Sequence, residues 1–137
     1  MKHPADVRVR AIETEELRLM DRAGRVRAVL AMSHTGPSLA MMHEDGTVAL
    51  EIVLAGDGPG VRLSDGKGET RVFIGATRGA ARIGMADGDG SQRLFLGVSS
   101  GGTPTAAMYD TDQRRLWTAG KPRTHRNGQA SEDPARR

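Results

Sequence analysis

One short pattern returns along this chain every 22 residues, and that repetition limits the fold more than any other property of the sequence. LRLMDRAGRVRAVLAM begins at Leu17, LAMMHEDGTVALEIVL at Leu39, VRLSDGKGETRVFIGA at Val61 and IGMADGDGSQRLFLGV at Ile83. A fifth copy, AAMYDTDQRRLWTA, begins at Ala106, one residue late, and the loop SSGGTP before it has room for the extra residue. Each unit is a short alternating run, a polar turn, a longer alternating run and a loop bearing Gly or Pro, which is how a β-hairpin is written in sequence. The turns read Asp21 to Gly24, His43 to Gly46, Asp65 to Gly68 and Asp87 to Gly90, with glycine where a positive φ closes the turn cheaply. Ahead of the first unit, the alternating segment Val7 to Ile12 reads as a half unit supplying an edge strand.

Taking the four turn residues as the loop sets Leu17 opposite Ala28, Leu39 opposite Leu50, Val61 opposite Val72, Ile83 opposite Leu94 and Ala106 opposite Trp117. Across the next connection the same procedure pairs Met32 with Leu39, Leu54 with Val61 and Ala76 with Ile83, and it brings Leu30 to Met41 and Ile52 to Leu63. Directly opposed residues share a face, so a meander of about ten strands acquires one continuous apolar side. The other side is mixed: Arg18, Arg27, Glu51, Arg62, Arg71 and Arg93 stand among Met20, Val29, Met42, Val53, Phe73, Phe95 and Tyr109. An open sheet with one oily face and one half-oily face cannot finish its own burial, and no helical segment is available to cover it.

The fold expected is therefore all-β, five tandem hairpin repeats over residues 1–119 with units starting near 17, 39, 61, 83 and 106. Closure is expected from homo-oligomerisation, a trimeric prism or barrel above all, since a closed ring also hides edge strands. Residues expected to form the core and assembly surface are Leu17, Leu39, Leu50, Ile52, Val61, Val72, Ile83, Leu94, Phe73, Phe95 and Trp117. Two alternatives remain open. A single-chain β-solenoid would stack Asp21, His43, Asp65 and Asp87 in one ladder, where like charges repel. A propeller-like assembly would instead group the units into four-stranded blades.

The repeated pattern, Leu-x-Leu-x-Asp-x-x-Gly-x-x-Arg-x-x-Leu closed by a Gly-Pro loop, resembles that of uncharacterised bacterial tandem β-hairpin repeat proteins, whose units read like LxDxxGRxRAxLxxxxxGxPxLxLxDxxG. The resemblance covers residues 7–119. It implies the repeat fold and brings no activity with it. This chain departs from the pattern at His43, where Asp starts the turn, and at Gln113, where Gly ends it.

Cysteine is absent, which removes disulfides and thiolate chemistry. No apolar run reaches the length of a signal peptide or membrane span, so a cytoplasmic location is expected, a phage or surface-appendage origin being the alternative left open. The net charge of +3 resides in residues 120–137, where Lys121, Arg123, Arg126, Arg136 and Arg137 stand against Glu132 and Asp133. That segment has the composition of a disordered basic tail, able at most to touch nucleic acid nonspecifically.

Candidate sites read mostly as turn chemistry. Asp87, Asp89, Asp110 and Asp112 supply oxygens in Gly-rich loops, as calcium requires, but no later bidentate Glu follows and hairpin turns need the same residues. The histidines at 3, 34, 43 and 125 share no ligand spacing. Ser33 and His34 are adjacent, so on a strand they point to opposite faces, the wrong relation for a nucleophile and its base. Gly84 to Gly90 precedes no helix that could cradle a phosphate. The arginine row Arg18, Arg27, Arg62, Arg71 and Arg93 is balanced by acids and reads as a salt-bridged face. No cofactor is expected. The functional expectation is a non-catalytic structural or assembly protein, a scaffold, stalk or filament building block; the alternative is a multivalent, lectin-like binding module using Tyr109 and Trp117.

Overall fold

The computed structural model describes residues 10–120, and their regular structure is entirely strand. Ten strands follow one another in the order of the chain: β1 (Glu16–Met20), β2 (Val26–Ser33), β3 (Gly36–Met42), β4 (Val48–Ala55), β5 (Gly58–Ser64), β6 (Thr70–Thr77), β7 (Ala80–Ala86), β8 (Gln92–Val98), β9 (Pro104–Tyr109) and β10 (Arg115–Ala119). Each pairs antiparallel with the next, giving one ten-stranded meander open at both edges among the described residues. This is the tandem-hairpin architecture. It is not a solenoid, in which equivalent strands would stack in parallel, and pairing continues through β4–β5 and β8–β9, so the sheet is not cut into four-stranded blades. Arg10 to Thr14 form no strand, so the edge strand expected at Val7 to Ile12 is absent over that stretch; Val7 to Val9, like the basic tail from Lys121 onward, His3 and His125, lie outside the described residues.

The turn within each unit is tighter than a four-residue loop. The Asp21 N–H donates to the Arg25 carbonyl at 2.9 Å, and the Gly24 N–H donates to the Asp21 carbonyl at 3.0 Å. Three residues thus form the loop, with Gly24 at φ 78° supplying its left-handed member. The Asp21 carboxylate braces the turn by accepting the Ala23 and Arg25 N–H groups at 2.9 and 3.0 Å. Asp65, Asp87 and Asp110 repeat this bracing in their own turns. In the second unit, where His43 replaces the aspartate, Asp45 accepts the Thr47 N–H instead.

One residue beyond each turn the register shifts: Met20 faces Val26 while Leu19 faces Ala28, leaving Arg27 as the extra residue of a bulge. Ala49, Arg71, Arg93 and Leu116 occupy the same position in the other units. The tighter turn and the bulge together move every hairpin two residues from the expected pairing. Leu17 faces Leu30 rather than Ala28, Leu39 faces Ile52, Val61 faces Ile74 and Ile83 faces Leu96, while Trp117 faces Met108.

Connections between units are also shorter than expected. Ser33 pairs with Gly36, Ala55 with Gly58 and Thr77 with Ala80 around two-residue turns, so Leu30 meets Leu39 and Ile52 meets Val61. The fourth connection absorbs its extra residue by copying the other turn, with Ser99 in the role of aspartate: its hydroxyl accepts the Thr103 N–H at 3.2 Å.

In the fifth unit Gln113 takes the glycine position at φ 61° and keeps the turn bond to the Asp110 carbonyl, at 3.1 Å. A side chain in the left-handed region costs about 1 kcal/mol. Gln113→Gly is therefore expected to raise stability by roughly that amount, read as a higher midpoint in chemical denaturation; an unchanged or lower midpoint would show that the turn bears no such strain.

Candidate functional site

A slip of two residues leaves every side chain on its expected face, and the meander gathers the apolar positions into rows. One row takes a residue from each strand: Leu17, Leu30, Leu39, Ile52, Val61, Ile74, Ile83, Leu96, Ala106 and Ala119. A second, beside it, runs from Leu19 through Met41, Leu50 and Val72 to Leu94, Met108 and Trp117. Neither row contains a polar side chain. Over β4 to β10 this face hollows into a trough of about 760 Å³ whose walls include Ile52, Val61, Ile74, Ile83 and Leu96.

Nothing among the described residues covers these rows. Among the described residues the one buried hydrophobic side chain is Ala107, at 4% exposure, while Ile52 is 43% exposed, Trp117 53% and Leu19 65%. The residues expected as core thus lie on an open surface: Leu39, Leu50, Val61, Val72, Ile83 and Leu94 are half-buried by their sheet neighbours, and Leu17, Ile52 and Trp117 are exposed.

The opposite face finishes itself. Phe73 and Phe95 lie here, each folded over the glycine two positions along its own strand, Gly75 and Gly97, so that a Cβ at either glycine would collide with the ring. Aromatic rings laid on strand glycines restore the packing that a missing side chain loses. Arg82, paired with Gly75 and Gly97, stands 4.9 Å from the centroid of Phe73. Arg62 and Glu51 form a cross-strand ion pair at 2.7 Å, and Arg18 pairs with Glu16. Phe73, Phe95, Val29 and Val53 are all half-buried as a result. The expectation that this face is too apolar for solvent is corrected in part: away from the β1 edge its large side chains are covered locally, while Met20 stays 49% exposed.

The arginine row also divides. Arg18 and Arg62 are surface members, whereas Arg27, Arg71 and Arg93 sit at the bulges and clamp one unit to the next. Arg71 reaches back to Asp65 at 3.3 Å and donates from Nε to the Ala86 carbonyl of the following hairpin at 2.9 Å. Arg27 makes the same reach to the Met42 carbonyl at 3.2 Å, and Arg93 joins Asp87 to the Asp110 carbonyl. The second unit lacks both halves of the clamp, with His43 and Ala49 in the two positions. The signal was present in the sequence as an aspartate followed six residues later by arginine, complete in the first, third and fourth units, absent from the second, and reduced in the fifth to Asp110 with Leu116 at the arginine position.

These contacts account for the calcium candidates. The Asp87 carboxylate is occupied by two N–H groups and Arg93, Asp110 by the N–H groups of Asp112 and Arg114, and Asp112 stands 3.4 Å from Arg114. Asp89 lies exposed in its turn. Among the described residues no three His, Asp or Glu side chains converge on a cation. Ser33 is held by its own turn, bonded to Thr35 and the Gly36 carbonyl, both at 2.9 Å. Tyr109 and Trp117 do not share a pocket: Trp117 faces Met108, whose neighbour Tyr109 points to the other side of the sheet.

The carboxylates of Asp21, Asp45, Asp65 and Asp87 are held below the ordinary aspartate value of 3.8. For Asp65 the cause is chiefly the Lys67 N–H, opposed by desolvation and reinforced by Glu69 N–H and Arg71. Asp21 is lowered first by the Arg25 N–H, and Asp45 by Thr47. At Asp87 desolvation pushes upward and is outweighed by Arg93 and the N–H groups of Asp89 and Ser91. A carboxylate whose folded value lies below its unfolded one stabilises the fold at pH above the unfolded value and loses that contribution as pH falls through the folded one. The melting temperature is therefore expected to stay level from neutral pH to about 5 and to fall below about 4. A level profile extending to pH 2 would contradict the bracing.

Fold and surface together define an all-β tandem-hairpin repeat domain with one open apolar face. No protein-family model matches the chain, and no curated protein matches it. No helix among the described residues is long and apolar enough to cross a membrane.

Proposed function

We propose that the chain is a non-catalytic structural module that self-associates through its apolar face, serving as a scaffold, stalk or filament building block. The observation that carries this reading is the unbroken double row of aliphatic side chains across all ten strands. A third apolar row on the same face, from Met32 and Pro37 to Val98 and Pro104, crosses β2 to β9; at about 4.8 Å per strand and about 7 Å per row, the three together spread over an area on the order of 900 Å². Soluble monomers rarely expose contiguous apolar patches beyond roughly 300–600 Å², while a stable protein interface takes about 800 Å² from each partner. One face of this sheet is thus the size of one side of an interface.

A second copy is the occupant that the composition favours. The face carries no charge with which to select a differently charged partner, and the same surface offered twice is complementary in chemistry. Closure into a trimeric prism or barrel would turn the apolar face inward and leave the salt-bridged face outside. A catalytic site commonly announces itself as a local violation of a repeat pattern, and the departures His43, Ala49, Gln113 and Leu116 are turn and clamp positions.

Coupling of folding to association makes stability depend on protein concentration. The thermal midpoint of the β-sheet signal in circular dichroism is expected to rise as protein concentration increases, with no ligand added. A midpoint independent of concentration over a hundredfold range would contradict self-association as the means of burial.

A further inference from the structure

We infer that β10 of one copy pairs with β1 of the next, so that the meander continues across the boundary between subunits. The inference rests on the self-association proposed above and specifies its seam. Ten strands in strict antiparallel alternation leave β1 and β10 running in opposite directions, so β1 of a second copy placed beside β10 continues the alternation without any change of pattern.

The repeat itself gives the register. At the boundary between the first two units Leu30 faces Leu39, Val29 faces Ala40 and Ala28 faces Met41. Ala119, Thr118 and Trp117 hold the corresponding positions in β10, and Leu17, Arg18 and Leu19 those in β1. The seam therefore sets Ala119 beside Leu17 of the next copy, Thr118 beside its Arg18 and Trp117 beside its Leu19. Every apolar row runs on unbroken.

Three features of the edges fit this seam. Leu17, Leu19, Met20, Leu116 and Trp117 are 49–66% exposed, all on two strands of five residues each. Edge strands of self-sufficient sheets are blunted by proline or by charges on the apolar face; neither strand has a proline, and their charged residues Glu16, Arg18 and Arg115 lie off the apolar rows. The bulge residue of the last unit is Leu116, where the first and third units use an arginine to reach the carbonyl of Met42 or Ala86 in the following hairpin. In the seam the position so reached belongs to Met20 of the next copy, and leucine meets methionine. Pairing of β1 with a second β1 is disfavoured, because the antiparallel arrangement centred on this strand sets Arg18 against its own copy.

The absence of native cysteine makes the seam testable by oxidation of engineered pairs. Full-length chain carrying Arg18→Cys and Thr118→Cys together, mildly oxidised at a concentration where light scattering finds a multimer, is expected to lose its monomer band on a non-reducing gel to a covalent ladder. Each single variant is expected to retain the monomer band. A multimer whose double variant stays uncross-linked overturns the seam and leaves self-association standing; a dimer from Arg18→Cys alone overturns it in favour of β1 against β1. A protein that is monomeric by light scattering overturns both. Should the double variant fail to fold, the single tryptophan of the wild-type protein decides: the seam shields Trp117, so the multimer is expected to emit at blue-shifted wavelength, and emission of a water-exposed indole from the multimer overturns the inference.

Discussion

Ile52→Asp is expected to abolish assembly and, with it, the stable sheet. Ile52 stands in the middle of the aliphatic row, between Leu39 and Val61, and on the wall of the apolar trough. In a single chain its side chain is 43% exposed, so a charge there would be tolerated by an isolated sheet. Once the face is packed against another copy, the same carboxylate is removed from water with no cation in either row, at a cost of at least about 3 kcal/mol per chain. Light scattering and circular dichroism on Ile52→Asp and on the control Glu51→Ala, whose side chain is on the opposite face, separate the two cases. A variant with normal mass and normal β signal would show that this face is not the one buried.

The second large effect belongs to a glycine. Gly58 opens β5 at φ 136°, and a Cβ placed on it would overlap the Ala76 carbonyl of β6. That backbone region is essentially closed to other residues, and the obstacle is main chain, which cannot rotate away. Gly58→Ala is expected to cost at least about 2 kcal/mol and to loosen the β4–β5–β6 register. Gly66→Ala serves as the control, since a Cβ there meets nothing and its φ is ordinary. Chemical denaturation of the pair gives the difference; equal midpoints would show that the β5 start relaxes without loss.

The two positions illustrate what the sequence discloses and what it withholds. Asp and Gly at fixed offsets mark the turns, and alternation between them marks the strands, so the number and order of strands follow from residue types alone. Pairing does not. Whether a turn closes at Met20 and Arg25 or at Asp21 and Arg25 depends on which N–H groups the Asp21 carboxylate captures, and the bulge at Arg27 adds a further residue that no alternation reveals. The two shifts together preserve the parity of every strand, which is why the apolar face is composed of the expected residues although each faces a different partner. Had only one of them operated, Ile52 would point to the other side.

The role of Arg27, Arg71 and Arg93 lay deeper. Their charge reads as surface balance, yet the geometry that makes them clamps exists only because each sits on a bulge, one strand away from the carbonyl of the following unit. The self-covering of the second face was concealed in the same way: Phe73 and Gly75 read as one large residue and one missing residue, and only the ring lying over the glycine joins them.

Burial of the apolar face by a second copy is the central claim, and the mass of the native protein in solution tests it most directly. Light scattering on the purified chain, separated by gel filtration, is expected to give a defined multiple of 14.6 kDa, threefold for the closed arrangement proposed here. A single species of 14.6 kDa with a full β-sheet spectrum would contradict it.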